Sequence, residues 1–386
     1  MIRGIGLTVQ VVLLVFVAYN LITATSGWTA PPPAPVGSRK RRFRVLVPAH
    51  NEAAVISEVL TDLHGQVYPA GLASVWVMAD HCDDNTVAIA QGLGVAVAER
   101  SEGPPGKGVA LTWYLEQHPL DPDETMVVID ADNRLPTDLL ARFADEIDTG
   151  HQVLQAYLDV TDPGGSWVAM AGAMSYWAGN RMVQLARSNR GWSADLGGTG
   201  MALTAQALVD GGGFGRTLTE DQELGVRLAL AGIPVHWVHD VRVADEKPAS
   251  ASVAIRQRAR WMAGKRNVAR RYASELLQVA VARRSWALVD QVVRLLQPGR
   301  SFVALLTGFL GVAAAFEGGT WLLPGWIWAG AAGLQLLVPI LFLRREGIAA
   351  RQLVWYPALA LLAALWVPIA LVSRRATGWY HTPHGG

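Results

Sequence analysis

Long uncharged apolar stretches lie at both ends of the chain, and shorter apolar runs fill its middle. Residues 6–24 contain neither a charged residue nor a proline, and about 20 apolar residues are enough to cross a bilayer. We therefore predict a transmembrane helix within residues 1–28, with a cleaved signal peptide as the alternative. A group of membrane segments is expected within 285–375. Its apolar stretches are 302–316, 321–343 and 353–372.

Basic residues give these segments an expected orientation. The linker at 29–42 starts with a stiff proline-rich stretch, and a run of basic residues at 39–44 follows it. Because cytoplasmic loops carry an excess of Lys and Arg, we expect a multi-pass protein of the cell membrane with residues 43–284 in the cytoplasm. A tail of the cytoplasmic type is expected at 376–386, although three full C-terminal spans would place it outside.

The middle domain has the pattern of strands that alternate with helices. Short apolar runs at 43–47, 75–79, 95–98 and 126–129 predict four strands. Helical spacing of apolar residues follows the first run, and further helices are expected at 86–92 and from Lys107. This alternation indicates an α/β domain with a parallel, Rossmann-like sheet, in which ligands bind beyond the carboxyl ends of the strands.

Composition excludes some classes of function. The 386 residues carry a formal net charge of +1, which argues against a protein dedicated to binding nucleic acid. Fifteen tryptophans are consistent with contact to a membrane interface. Cys82 is the single cysteine, so an intramolecular disulfide and a cysteine-based zinc cluster are both excluded. Nothing in the composition indicates an oligomeric state.

Polar residues gather where the predicted strands end. They are His50, Asn51 and Glu52 after the first strand, Asp80, Asp83 and Asp84 after the second, and Asp130 and Asp132 after the fourth. Carboxylates at these ends suit a ribose and a hard cation, Mg²⁺ or Mn²⁺, because both ions prefer oxygen ligands. The lysine of Gly106-Lys107-Gly108 can meet a diphosphate. No G-x-G-x-x-G follows the first strand, which counts against a nicotinamide dehydrogenase.

Seven short motifs occur in a recognisable order along the chain. They are VPAHNE at 47–52, ADHCDDNT at 79–86, GKGVAL at 106–111, DADN at 130–133, TED at 219–221, QRARW at 257–261 and GWYHTPH at 378–384. With them the chain resembles inverting family 2 glycosyltransferases of the GT-A fold, especially the membrane branch of cellulose, chitin and hyaluronan synthases. The resemblance implies a GT-A domain with flanking transmembrane and interfacial helices. The tail departs from the family pattern, because His381 stands where a basic residue is usual.

The resemblance implies a role for each motif. The nucleotide-sugar donor, expected to be a uridine diphosphate sugar, is assigned to Ala49, Asn51, Glu52, Asp80, Asp84, Lys107, Asp130 and Ala131. Asp132 is expected to bind the metal, and Asp221 to act as general base with Glu220 beside it. The acceptor and diphosphate side is assigned to Gly198, Thr199, Gly200, Gln257, Arg258, Arg260 and Trp261.

The TED motif fits a general base on physical grounds as well. Thr219 can cap a helix whose apolar stripe is Leu224, Leu228 and Ala231, so Asp221 in its first turn should project into the cleft. A helix N-terminus favours an ionised carboxylate, which predicts a low pKa for Asp221. A carboxylate that takes the proton of the acceptor hydroxyl contributes about 10²–10⁴-fold in rate. Single displacement inverts the anomeric centre, and no nucleophile for a double displacement is evident.

Three functions stay open at this point. The first is transfer to a saccharide acceptor at the cytoplasmic membrane face, and the second is transfer to a lipid acceptor of the ceramide or polyprenol type. The few C-terminal spans leave little room for a polymer channel, which favours the second or a non-processive form of the first. The third is an inactive membrane scaffold, against which the intact carboxylates argue. The expected partners are the donor, a saccharide or lipid-linked acceptor, and the bilayer.

Overall fold

A seven-stranded mixed sheet forms the centre of the middle domain. The computed structural model describes residues 2–215, 217–248, 250–317 and 321–373. The strands are β1 (Arg42–Ala49), β2 (Ala73–Asp80), β3 (Ala96–Arg100), β4 (Glu124–Val128), β5 (Val153–Val160), β6 (Met201–Thr204) and β7 (His236–Asp245). Their order in the sheet is β3-β2-β1-β4-β6-β5-β7. The predicted α/β fold is confirmed, and each of the four predicted strands overlaps one of β1 to β4.

The four predicted strands are parallel to one another, as expected, but the complete sheet is mixed. β3, β2, β1 and β4 are parallel, and so are β5 and β7, but β6 runs antiparallel to both of its neighbours. Gly198 and Gly200, with φ of 83° and 59°, turn the chain into β6. Such backbone angles favour glycine, so this turn allows the reversed strand.

Helices cover both faces of the sheet and continue beyond it. They are α1 (Ile2–Thr25), α2 (Ile56–His64), α3 (Thr86–Gly92), α4 (Lys107–Gln117), α5 (Leu139–Asp148), α6 (Trp167–Gly179), a π-helical segment (Asn180–Leu185), α7 (Ala186–Ser188), α8 (Ala205–Asp210), α9 (Glu220–Ala231), α10 (Ala251–Ala282), α11 (Trp286–Leu296), α12 (Arg300–Glu317), α13 (Gly325–Arg345), a 3₁₀ turn (Leu353–Trp355), α14 (Ala358–Ala364) and α15 (Trp366–Ser373). Successive strand residues face opposite sides. Val45 and Val47 therefore belong to a hydrophobic cluster with residues of α2 and α5, while Leu46 belongs to a second cluster with residues of α4, α6 and α9.

Two helices of the described chain are long and apolar enough to span a membrane. They are Gly6–Thr25 within α1 and Gly325–Arg345, which is α13. The pair of α11 and α12 satisfies the same criterion only if it is taken as one span with a 69° bend. The predicted segment 353–372 is not one helix, because it is divided into a 3₁₀ turn, α14 and α15, with Pro357 directly before α14 and Leu365 between α14 and α15. The predicted tail at 376–386 lies outside the described residues.

Ion pairs, of which Arg181–Glu346 is buried on both sides, join the sheet domain to the end of α13 and to the linker after α1. Glu346, directly after α13, pairs with Arg181 at 2.6 Å and with Arg242 at 2.7 Å. The Glu346 side chain is only 1% exposed and that of Arg181 only 8%. In the linker after α1, Arg39 pairs with Asp145 of α5 at 3.1 Å. The sheet domain is therefore fixed to both the N-terminal and the C-terminal helices.

Candidate active site

A cavity of about 640 Å³ opens at the carboxyl ends of β1, β2, β4 and β7. This is the edge at which the sequence pattern predicted ligand binding. The predicted site residues that line it are Ala49, Glu52, Asp80, Lys107, Asp130, Ala131, Asp132, Gly198, Thr199, Glu220, Asp221, Gln257, Arg260 and Trp261. Residues from seven separate segments of the sequence therefore meet in one space.

Asp80 holds the GKG loop against the end of β2. One carboxylate oxygen accepts a hydrogen bond from the backbone N–H of Gly106 at 2.8 Å, and the other pairs with the buried Arg100. The carbonyl oxygen of Asp80 lies 2.6 Å from Nδ1 of His50. Asp80 thus fixes the start of α4, and with it the position of Lys107.

Asn51 and Asp84 lie outside the lining of the cavity. The amide oxygen of Asn51 accepts a hydrogen bond from the N–H of Asp83 at 2.8 Å, and Asp84 accepts from the N–H groups of Ala53 and Thr86 at 3.0 and 2.9 Å. Both side chains are thus used to join the loops after β1 and β2. They therefore support the loops that form the wall of the cavity and do not line the cavity themselves.

Lys107 lies between Asp130 and the loop before β6. Its ammonium group contacts the carboxylate of Asp130 and donates to the carbonyl oxygen of Gly198 at 2.8 Å. Burial alone would lower the pKa of Lys107, but the charges of Asp130, Glu220 and Asp221 raise it. The lysine is therefore charged at neutral pH, as contact with a diphosphate requires.

The carboxylates at this edge fit a divalent cation. Asp130 and Asp132 follow β4, and Asp245 ends β7 and lines the same cavity. Burial, and in smaller part the charge of Asp130, raise the pKa of Asp245 even though Lys247 opposes the shift. A hard cation would offset this crowding of negative charge with the oxygen ligands that Mg²⁺ and Mn²⁺ prefer.

Glu220 and Asp221 form the first turn of α9 and face Lys107 across the loop before β6. A Cβ atom placed on Gly198 would lie 3.4 Å from Oδ2 of Asp221 and 3.7 Å from Nζ of Lys107. The predicted low pKa of Asp221 is wrong. Burial raises the pKa of Asp221, and it raises that of Glu220 to about 7 with help from the charge of Asp221. Desolvation thus outweighs the helix N-terminus and the nearby cations.

The cap of α9 also differs from the prediction. Thr219 occupies the N-cap position, but its side chain makes no capping hydrogen bond and its hydroxyl has no partner among the described residues. Thr219 instead packs against α10, since a Cβ on Gly264 would lie 2.4 Å from its side chain. Leu224 and Leu228 are buried as expected, whereas Ala231 is exposed. Close packing on α10 therefore positions the first turn of α9.

One face of α10 closes the cavity. Gln257, Arg260 and Trp261 share that face because residues three and four apart are neighbours on a helix. Arg258 points elsewhere and lines a separate cavity of about 20 Å³. Gly200 likewise lies outside the lining, because it packs on the sheet side of its loop, 3.2 Å from Val243 when a Cβ is added.

Three lining residues were missed by the sequence analysis as ligand-binding groups. Lys247 pairs with Asp245 at 2.7 Å and lies 3.5 Å above the ring of Tyr176, and all three line the cavity. The signal that could have found Asp245 and Lys247 is a polar D-E-K run at the end of a strand, but β7 itself was not predicted.

Comparison with known proteins gives the family. A family model described as "Glycosyltransferase like family 2" matches residues 40–264. The beta-monoglucosyldiacylglycerol synthase of Trichormus variabilis is 30% identical over 231 residues, which are 57% of this chain and 48% of that protein. A probable glucomannan 4-beta-mannosyltransferase of Arabidopsis thaliana is 38% identical over 82 residues, 21% of this chain and 15% of that protein. The chain spans about half the length of the glycolipid synthases it matches.

A solved structure shares the fold over nearly the whole chain. It is the mannosyltransferase PcManGT of Pyrobaculum calidifontis in complex with GDP-Man and Mn²⁺, which is 19% identical. The match has a TM-score of 0.61 and covers 97% of this chain and 99% of that one. At this level of identity the likeness shows only that the two proteins share the GT-A fold. The match to the family model, which covers more than half of the chain, shows the family. The chain belongs to glycosyltransferase family 2.

Proposed function

We propose that the chain transfers a sugar from a nucleotide-diphosphate sugar to an acceptor hydroxyl in a single, inverting displacement. The observation that carries this proposal is the arrangement of Lys107 and Asp130 opposite Asp221 across Gly198. Lys107 can bind the diphosphate of the donor on one side of the cavity, and Asp221 can accept the proton of the acceptor hydroxyl on the other side. The donor anomeric carbon would lie between them.

In this reaction the acceptor oxygen forms a bond to the anomeric carbon while the bond from that carbon to the diphosphate oxygen breaks. Asp221 takes the hydroxyl proton, and the diphosphate leaves with the bonding electrons. Lys107 and Arg260 lie where they can offset the charge of the leaving group. The buried Nε of Arg260 has no hydrogen-bond partner in the part of the chain that the structure describes, which supports its use by an anionic ligand.

The remaining predicted residues have supporting places in this scheme. Ala49, Glu52 and Asp80 would contact the base and ribose, with Asn51 and Asp84 holding that loop, and a uridine diphosphate sugar stays the expected donor. Mg²⁺ or Mn²⁺ would be held by Asp132 with Asp130 or Asp245, and the bound ion supplies further compensation of the diphosphate charge. Gln257 and Trp261 would face the acceptor.

We favour a lipid acceptor over a saccharide. The support is the printed name of the glycolipid synthases that match 57% of the chain, together with the apolar helices that flank the domain. The saccharide acceptor is the second candidate, supported by the shorter match to a glucomannan mannosyltransferase. Whichever acceptor is used, we propose the relationship to cellulose, chitin and hyaluronan synthases as one of ancestry and not of product.

The activity is tested by incubating the purified chain with metal, a panel of nucleotide sugars, and either diacylglycerol or an oligosaccharide as acceptor. We expect acceptor-dependent nucleotide release and a product whose anomeric configuration is opposite to that of the donor. Asp221→Asn is the matched inactive control, because it keeps the shape of the side chain. A product with retained configuration would refute the single displacement, and transfer to the oligosaccharide alone would refute the lipid acceptor.

We also propose that residues 1–28 and segments within 285–375 embed the chain in the cell membrane, with residues 43–284 in the cytoplasm. The basic run at 39–44 supports this orientation. Lys40→Cys and Arg345→Cys, at exposed positions in a Cys82→Ser background, should resist an impermeant thiol reagent in intact cells and react in permeabilised cells. Labelling of position 40 in intact cells would contradict the orientation.

A further inference from the structure

Three metal-ligating side chains lie together at the end of the sheet that is remote from the cavity. They are Glu146 in the last turns of α5, His151 in the following loop and His236 at the start of β7. β7 has ten residues and ends at Asp245 in the active cavity. At about 3.3 Å per residue, His236 lies roughly 30 Å from that cavity. The proposed transfer reaction does not use these groups.

Their donor atoms converge on one point. Nε2 of His236 lies 3.3 Å from Oε2 of Glu146, and Nε2 of His151 lies 4.0 Å from the same oxygen. All three atoms lie within 4.8 Å of one another. Ligand atoms around a tetrahedral Zn²⁺ are about 3.3 Å apart for bond lengths near 2 Å. The His236–Glu146 pair already has that spacing, so closure requires a change in the side-chain rotamer of His151.

We propose that Glu146, His151 and His236 form a second metal site, which binds Zn²⁺ or a similar transition-metal dication. Imidazole ligands suit zinc, whereas carboxylate-only sets suit magnesium and manganese. Two histidines and one carboxylate also form a known zinc ligand set that leaves one position for water. The cluster therefore differs in metal preference from the carboxylates of the active cavity.

The surroundings support coordination through these atoms. Nδ1 of His236 lies 3.3 Å from the hydroxyl of Ser188, and such an outer contact on one ring nitrogen orients the other toward a metal. The two rings are stacked, with 3.7 Å between centroids and 10° between planes. Because the lone pair of each Nε2 lies in its ring plane, His151 must rotate out of this stack before both rings can bind one ion. Arg142 lies 3.8 Å from the second oxygen of Glu146, but it is already paired with Asp145 and Asp240 at 3.0 Å.

The three side chains differ in burial, and the most exposed of them leaves a path for an ion from solvent to the cluster. The Glu146 side chain is 9% exposed and that of His236 21%, whereas that of His151 is 38% exposed. An ion can therefore enter from the solvent side, and His151 can rotate to complete the site. A bound ion would connect α5, the loop at 149–152 and β7, so it should stabilise the sheet edge that receives the linker from α1.

The test uses full-length protein without an affinity tag, treated with chelator and returned to buffer with excess Mg²⁺. It is titrated with Zn²⁺ alone, and bound zinc is counted after equilibrium dialysis. We expect one ion per chain and a higher Tm. His151→Gln and His236→Gln should each weaken binding at least about tenfold, because even the loss of an outer contact costs that much. His64→Gln, at an exposed histidine on α2, is the matched control and should bind as the wild type does.

Two further measurements keep the result decisive. Asp132→Ala should keep its zinc affinity, and loss of zinc binding in that variant would overturn the proposal by moving the ion into the active cavity. If a histidine variant does not fold, Co²⁺ bound to the wild type reports the ligands directly. An intense tetrahedral or five-coordinate spectrum supports the site, while a weak octahedral spectrum overturns it. Unchanged zinc binding in both histidine variants, or no binding by the wild type, would also overturn it.

Discussion

Replacement of Asp221 by asparagine tests the assignment of the general base. The substitution keeps the size of the side chain and removes the proton acceptor. Lys107 keeps its contacts with Asp130 and Gly198, so the diphosphate side of the cavity is preserved. We therefore expect a loss of turnover with little change in donor affinity.

The magnitude follows from the role and from the charges. A missing general base lowers the rate by about 10²-fold or more, which corresponds to at least about 2.7 kcal/mol in the activation free energy. Donor binding should stay equal or become slightly tighter, because one negative charge near the diphosphate disappears. Glu220 has a pKa of about 7, in part because of the charge of Asp221, so it should ionise more readily in the variant. The activity that remains in Asp221→Asn is then limited by how well Glu220 can act as the base in place of Asp221.

The pH profile provides an independent check on the wild type. Because burial raises the pKa of Asp221, its protonated and inactive form persists to higher pH than for an exposed aspartate. The acidic fall of kcat/KM should therefore be centred above pH ~3.9, the usual pKa of aspartate. In Asp221→Asn this fall should move, because a different group then limits the rate.

The assay combines donor binding by calorimetry with single-turnover transfer at saturating acceptor. Glu220→Gln is the matched control, since it removes the neighbouring carboxylate from the same helix turn, and it should reduce turnover less than Asp221→Asn. If Asp221→Asn weakens donor binding and leaves turnover intact, Asp221 positions the substrate and the base lies elsewhere. Equal losses in both variants would assign the proton transfer to the pair.

Three further outcomes are expected. Excess chelator should abolish transfer until Mn²⁺ or Mg²⁺ is restored, and full activity in chelator would contradict the metal site. Asp132→Ala should lose metal-supported donor binding in calorimetry. Burial raises the pKa of Glu220 from its ordinary 4.5 to about 7, so the fold loses stability as the pH rises from about 4.5 to about 7, and the loss is complete above pH 7. Glu220→Gln should then increase the free energy of unfolding at pH 8 by up to about 3 kcal/mol and change it little at pH ~4. Equal effects at both pH values would argue against this. Gly264→Ala places a Cβ 2.4 Å from Thr219 and should cost about 1–3 kcal/mol in thermal unfolding, whereas Gly225→Ala, with nothing within 4 Å, should not destabilise α9.

The first half of the sheet was predictable because its strands are short, apolar and followed by polar clusters. Val45, Leu46 and Val47 are all fully buried, since β1 is covered by helices on both faces, and such strands appear as continuous apolar runs. The helix at 86–92 was also predicted with its bounds correct. β6 has only four residues, and β7 contains His236, Asp240 and Arg242 along its length, so neither gives a clear pattern.

Motif order predicted which residues lie together better than it predicted their ionisation. The predicted lining residues near β1, β2, β4 and α9 do meet in the cavity. Lys247 and Tyr176 were missed because their positions depend on β7 and α6, which the pattern did not show. The pKa of Asp221 was predicted in the wrong direction because the prediction counted the helix N-terminus and not the burial of the side chain, which depends on tertiary packing.

The contact of Glu346 with Arg181 limits how the chain can be divided. A soluble fragment that ends at residue 284 would keep Arg181, whose side chain is 8% exposed, and lose the carboxylate that it faces. Breaking a buried ion pair by removal of one partner costs about 3–5 kcal/mol, a large share of the roughly 5–15 kcal/mol that stabilises a typical domain. Arg242 would lose the same partner. An excised catalytic domain should therefore be prone to unfold and aggregate unless Arg181 is replaced by a neutral residue or the segment through Glu346 is retained.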